Sequence, residues 1–171
     1  MEIVKATPDD VETLVKISLK TFYEAFHHLN TPENMDAYMG RAFTSEKLLS
    51  ELQHPYTDFY FVKDHDEVIG YMKLNRKDAQ SEFHEGDSME LERIYVDAGY
   101  QGTGLGTLLL HKVRETAIEC GCNFIWLGVW EQNPNAIRFY RRNGFEIYSS
   151  HPFQMGDDVQ TDMLMIARVR E

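Results

Sequence analysis

The chain of 171 residues holds only two cysteines and five prolines, and it has no apolar run of the ~18 residues that a membrane span requires. Cys120 and Cys122 are too close in sequence for good disulfide geometry, so buried free thiols are expected. The first residues show no basic-plus-apolar leader, which gives the expectation of a cytoplasmic protein without a membrane partner. Basic charge is scarce: 17 Lys and Arg stand against 28 Asp and Glu, a net charge of −11, which argues against nucleic acid as a partner. His, Cys and carboxylates do not cluster at ligand spacing, so no metal is expected. Lysine is absent between Lys77 and Lys112, which removes the nucleotide P-loop from the glycine cluster in that interval.

With 43% hydrophobic and 26% charged residues, the composition fits one domain spanning residues 1–171. Its acidity is uneven. Residues 1–100 hold ten Lys and Arg against twenty Asp and Glu, whereas residues 101–171 hold seven against eight. An acidic first half favours a small cationic substrate or partner.

The stretch Glu90–Thr107 organises the chain. A strand-like run, Leu91–Val96, leads through a polar turn to Gly102, Gly104 and Gly106, after which Leu105, Leu109, Val113 and Ala117 repeat at helical spacing. Glycines let a backbone approach a ligand closely, and the free N–H groups of a helix start suit a phosphate. The dinucleotide fingerprint is not met, because Thr107 stands where its third glycine belongs.

Around this stretch, Met1–Ala6 reads as a strand, and Thr7-Pro8-Asp9-Asp10 and Thr31-Pro32-Glu33-Asn34 as helix starts. A short helix is expected over Ser45–Leu52, a hairpin over Asp58–Val62 and Val68–Leu74, and a polar loop over Asn75–Ser88. Gly121 stops the long helix, and Phe124–Trp130 is apolar enough for a strand buried on both faces. Asn133–Phe145 reads as a capped helix closed by Gly144, and two strands near Phe145–Ser149 and Gln160–Val169 end the chain.

Gln101-Gly102-Thr103-Gly104-Leu105-Gly106 resembles the acetyl-coenzyme A motif of the GNAT N-acetyltransferase superfamily, Gln/Arg-x-x-Gly-x-Gly/Ala after a strand. The superfamily's second motif, Asn-x-x-Ala-x-x-Phe/Leu-Tyr-x-x-x-Gly-Phe, is matched at Asn133, Ala136, Phe139, Tyr140, Gly144 and Phe145. Phrases outside the motifs, among them Thr31–Met35, Asp78–Glu82, Leu127–Glu131 and Gln160–Asp162, are similar to bacterial PaiA-type spermidine/spermine N-acetyltransferases. The resemblance implies an α/β (α+β) GNAT acyl-CoA N-acyltransferase fold, a mixed and strongly twisted sheet of about seven strands with helices on both faces. It also implies transfer of acetyl from acetyl-coenzyme A (acetyl-CoA) to a polyamine nitrogen by direct attack in a ternary complex. Other amines (an aminoglycoside, an amino acid, a protein N-terminus), a non-catalytic acyl-CoA-binding module and a homodimer remain open.

The same resemblance distributes the roles. Backbone groups of Ile94, Tyr95 and Val96, where the family's strand bulges, would take the pantetheine arm and thioester. The loop formed by Gln101, Gly102, Thr103, Gly104, Leu105, Gly106 and Thr107 would hold the pyrophosphate, with Asn133 contributing besides capping its helix. Tyr140 would be the general acid, and Glu92, directly or through a water, the base. Glu90, Tyr23 and His27 are candidates for substrate contact, and the run Asp78, Glu82, Glu85, Asp87, Glu90 and Glu92 would attract a polycation.

Overall fold

The structure, a computed structural model, describes residues 1–82 and 87–170; of the acidic run, Glu85 lies outside them. Among the described residues five α-helices and seven strands follow the expected order. They are β1 (Glu2–Lys5), α1 (Val11–Phe26), α2 (Pro32–Ala42), α3 (Ser45–Leu52), β2 (Thr57–Asp64) and β3 (Glu67–Arg76). After these come β4 (Ser88–Val96), α4 (Leu105–Glu119), β5 (Phe124–Trp130), α5 (Pro134–Arg142), β6 (Glu146–Met155) and β7 (Asp158–Arg168). The start signals act through identifiable bonds. Asp10 accepts the Thr7 N–H at 2.7 Å, while Thr31 and Asn133 accept from Asn34 and Ala136, each at 3.2 Å.

The strands form one mixed sheet in the order β1-β2-β3-β4-β5-β7-β6. Every neighbouring pair is antiparallel except β4 and β5. Alternation along the strands sends apolar side chains to both faces, so two cores form. On one, α4 and α5 cover Met72, Leu91, Ile125, Leu127 and Met165. On the other, α1, α2 and α3 cover Phe59, Phe61, Tyr71 and Met155.

Boundaries differ from expectation at several elements; β3, for one, runs to Arg76, into the expected loop. β4 starts at Ser88, because its first residues are already buried, and β6 runs on to Met155. α1 ends at Phe26 and continues as a single 3₁₀ turn, which leaves Leu29 53% exposed. Both thiols are free, but only Cys122 is buried; Cys120 is exposed, having fallen at the end of α4.

The turn between β6 and β7 docks on the start of α2. Gly156 has φ +60°, a Cβ there would lie 2.8 Å from Asn34 Cα, and the Asp157 N–H donates to Asn34 Oδ1 at 3.2 Å. By contrast, a Cβ on Gly40, within α2, would meet nothing within 4 Å. Gly156→Ala should therefore lower the unfolding free energy by about 1–2 kcal/mol or more in urea titration, from the left-handed backbone alone. Gly40→Ala should raise it by up to about 1 kcal/mol.

Candidate active site

The parallel join of β4 and β5 has three residue pairs, Ser88 with Phe124, Met89 with Ile125 and Glu90 with Trp126. Beyond Glu90 the strands part, and the β5-facing edge of Leu91–Val96 has no strand partner among the described residues. The opening is a cleft of about 700 Å³, walled by Phe22, Ala25 and Phe26 of α1, Tyr38 of α2, and Phe153 of β6. Ile94, Tyr95, Val96, Gln101, Asn133 and Tyr140 line it as well. Tyr23 and His27 do not. They stack on each other with ring centroids 4.4 Å apart on the outside of α1, where Tyr23 is 51% exposed.

At one end lies the glycine turn. Gly102 and Gly104 have φ of +77° and +89°, and a Cβ on either would meet nothing within 4 Å, so the backbone there is open to close approach. The first intrahelical bond of α4 runs from the Leu108 N–H to the Gly104 carbonyl. The preceding N–H groups of Leu105, Gly106 and Thr107 therefore come before the ladder and carry the positive end of the helix dipole. Thr103 Oγ1 donates to the Tyr100 carbonyl at 2.6 Å, which fixes the turn. These residues fit a phosphate group. Gly106 has a second duty: a Cβ on it would sit 3.0 Å from the Phe139 ring, so its absence lets α4 and α5 touch.

That contact places Tyr140, on the next position of α5, at the head of the cleft. The residue is 8% exposed and flanked by Phe139 and Phe145. Burial raises its phenol pKa well above the usual 10, so it is protonated at neutral pH.

The carboxylates of β4 are less free than their alternation suggests. Opposite β3, Lys73 pairs with Arg93 and Leu74 with Leu91, so Glu92 is the extra residue of a β-bulge. The bulge thus lies at Glu92, ahead of Ile94–Val96 where it was expected. It changes the parity of the strand: Met89 and Leu91 face the α4 core, and so do Ile94 and Val96. Glu90, Glu92, Arg93 and Tyr95 are thereby left on the opposite side.

There Glu92 meets Lys73 Nζ at 2.6 Å and Asn75 Nδ2 at 2.6 Å, and Glu51 links Lys73 at 3.2 Å to Arg93 at 3.3 Å. Burial acts to raise the Glu92 pKa, but the Lys73 and Arg93 charges and the two hydrogen bonds outweigh it and hold the carboxyl below its ordinary value. Glu90 is 3% exposed and accepts from Ser81 N–H, Ser81 Oγ and Asn75 Nδ2. Burial and the Glu92 charge raise its pKa. Its role in the structure is to pin the loop after β3.

On the same side of the sheet, opposite β4, His151, Asp162 and Glu82 complete the cleft; Glu82 and Asp162 lie in phrases that carried the family resemblance without an assigned role, and His151 carried no local signal. His151 Nδ1 pairs with Glu82 Oε1, and Nε2 lies 3.5 Å from Asp162 Oδ2. The charged lining is acidic on balance, with Glu82, Glu90, Glu92 and Asp162 against Arg93. Among the described residues no set of three or more His, Cys, Asp or Glu is arranged to hold a metal, and no helix is long and apolar enough to cross a membrane.

Comparison with known proteins agrees with this geometry. Residues 13–145 match the model of the acetyltransferase (GNAT) family. A protein of Lactobacillus delbrueckii subsp. lactis, described as an uncharacterised N-acetyltransferase, is 39% identical over 165 residues, 96% of this chain and 95% of its own. A spermidine N(1)-acetyltransferase of Thermoplasma acidophilum is 24% identical over 151 residues, covering 86% and 89% of the two chains. The crystal structure of the PaiA N-acetyltransferase from Thermoplasma acidophilum, in complex with coenzyme A, superposes with a TM-score of 0.80 at 22% identity over 98% of each chain. The family model takes in the glycine turn and the Asn133–Phe145 segment, and the chain belongs to the GNAT family of acetyltransferases.

Proposed function

We propose that this acetyltransferase moves the acetyl group of acetyl-CoA to a primary amine of a polyamine such as spermidine or spermine. The observation that carries the choice of acceptor is the acidic balance of the cleft lining, four carboxylates against one guanidinium. A relative that is a spermidine N(1)-acetyltransferase supports the acceptor, and a solved structure of similar fold that holds coenzyme A supports the donor. The cofactor's thioester supplies the activated acetyl group. Leu105, Gly106 and Thr107 would bind the pyrophosphate through their N–H groups, and the unpaired edge at Ile94–Val96 would hold the pantetheine arm and polarise the carbonyl.

Direct attack of the amine on the thioester then requires two proton movements. Tyr140 would give its proton to the departing thiolate. A phenol made less acidic by burial is loaded at neutral pH, and the same desolvation raises the proton affinity of the sulfur beside it, so transfer proceeds as the C–S bond breaks. Glu92 suits the role of base poorly, because a carboxylate held below its ordinary pKa by two cations retains a proton weakly. We assign it instead to fixing the bulge and the anionic wall.

Thiol release from acetyl-CoA, assayed against a panel of polyamines, aminoglycosides, amino acids and peptide N-termini, tests this reading. Turnover should be fastest with spermidine or spermine, and silence across the panel despite measurable acetyl-CoA binding would identify a binding module instead. Tyr140→Phe should reduce kcat about 10²-fold while leaving the Kd for acetyl-CoA unchanged; an unaltered kcat removes Tyr140 from the acid role. Glu92→Gln should cost about 1–3 kcal/mol of stability at pH 7, measured by denaturant. Because the folded-state pKa of Glu92 is lowered, that difference is complete above the unfolded glutamate value of about 4.3. It should vanish as pH falls through the lowered folded value.

A further inference from the structure

Strand register brings three distant residues to one spot. Trp130 on β5 pairs with Asp162 on β7, and Asp162 pairs with His151 on β6, so all three stand on one face of the sheet. Gly128, two residues before Trp130, is on that face too. A Cβ there would lie 3.4 Å from Asp162 Oδ2 and 3.6 Å from His151 Nε2. The missing side chain leaves both polar atoms bordering the cleft. Counting two residues along each strand from the Glu90–Trp126 pair sets Gly128 level with Glu92, across the opening where β4 and β5 separate.

At this spot a neutral His151 and an ionised Asp162 set two acceptor atoms side by side. His151 Nδ1 is held by Glu82, so a neutral imidazole presents Nδ1–H to that carboxylate and a lone pair on Nε2. Asp162 Oδ2, 3.5 Å from Nε2, also has only lone pairs, and the separation exceeds a good N–H···O bond. An alkylammonium carries three N–H donors and satisfies both at once. Among the described residues, Glu82 from the loop after β3, Asp162 from β7, Glu90, Glu92, Arg93 and Tyr95 from β4, Tyr140 from α5 and Tyr38 from α2 are the charged and titratable groups that line the cleft around this pair. The charge of Glu92 is met by Lys73 and Arg93, whereas burial raises the pKa of Asp162 against the opposing effect of His151.

We propose that the His151–Asp162 pair over Gly128 seats the reacting nitrogen: Asp162 binds the acceptor as its ammonium, and His151 Nε2 takes the proton which that nitrogen must lose. This rests on the reading that the chain acetylates an amine. Proton transfer leaves imidazolium and a neutral amine, whose lone pair forms the new C–N bond. The C–S bond then breaks, the sulfur takes the Tyr140 proton, and the second proton shed by nitrogen restores Tyr140. The imidazolium gives its proton to water, so each turnover yields one amide, one thiol and one proton. Glu82 acts as a positioning residue, fixing the tautomer of His151.

The test uses the full chain with acetyl-CoA and spermidine. His151→Gln should lower kcat about 10²- to 10⁴-fold and abolish the acid limb of the kcat–pH profile, with the Kd for acetyl-CoA unchanged. Asp162→Asn should raise KM for spermidine about ten- to a hundredfold, the loss of one charge-assisted hydrogen bond. A folded His151→Gln enzyme that keeps the acid limb overturns the proposal. If the wild-type protein acetylates no amine, the reading of its function fails, and the pair is judged by the ring ¹⁵N spectrum of His151 instead. The expected result is an Nδ1–H tautomer whose Nε2 resonance shifts on titration with n-butylammonium chloride. An Nε2–H tautomer, or no shift, overturns the proposal. Should His151→Gln fail to fold, the Asp162→Asn kinetics and the same spectrum decide.

Discussion

Three residue pairs hold the two halves of the sheet together. Between Ser88–Glu90 and Phe124–Trp126 the parallel ladder joins β1–β4 to β5–β7, and everything past it belongs to the cleft. Had the ladder continued, Leu91–Val96 would have its edge covered, and neither a thioester arm nor an amine would reach the sheet. The separation is sustained from outside. α4 and α5 cross one face and touch through Gly106 and Phe139, while α1 and α2 supply the aromatic wall on the other. Opening a sheet exposes backbone polar groups that need partners, and the structure accepts that cost where a ligand supplies them.

The bulge at Glu92 follows from the same need. A regular strand would turn Arg93 into the apolar core beneath α4; one extra residue turns it the other way, beside Glu92. Lys73, 5% exposed, is drawn into the resulting network with Glu51. Burying Lys73 and Arg93 is costly unless each is paired, and half-buried Glu51 and Glu92 pair both. The network makes the β4 side of the cleft stiff and electrostatically settled. The His151–Asp162 pair lies across the cleft from it, on the β6–β7 side.

How much of this was legible in the sequence depended on how local each feature is. Helix starts at Thr7, Thr31 and Asn133 and the stops at Gly121 and Gly144 are written in adjacent residues, and the elements follow them. The glycine turn and Tyr140 lie within two short motifs and were readable for the same reason. Lys73 was not, since nothing near it in sequence marks a buried lysine; its partners are 19 and 22 residues away. His151, Asp162 and Glu82 meet only through strand register and a loop 69 residues distant from the histidine. The acidic run was read as one electrostatic unit, yet Glu90 pins Ser81, Glu92 is ion-paired and Glu82 holds His151. Charge counts along a chain do not reveal which carboxylates already have partners. Tyr23 and His27 were misplaced by a fraction of a helical turn, because Phe22 and Phe26 occupy the inward positions of α1.

The docking of Gly156 against Asn34 has a consequence for how this molecule can change over generations. It anchors the β6–β7 hairpin to α2, on the far side of the sheet from α4 and α5. Substitutions at its exposed tip, Asp157 to Val159, can therefore accumulate without displacing the glycine turn or Tyr140, whereas Met165 and Ala167 farther along β7 share a core with both. Drift at that tip is mechanically separable from the sheet beneath it, and one glycine helps keep it so.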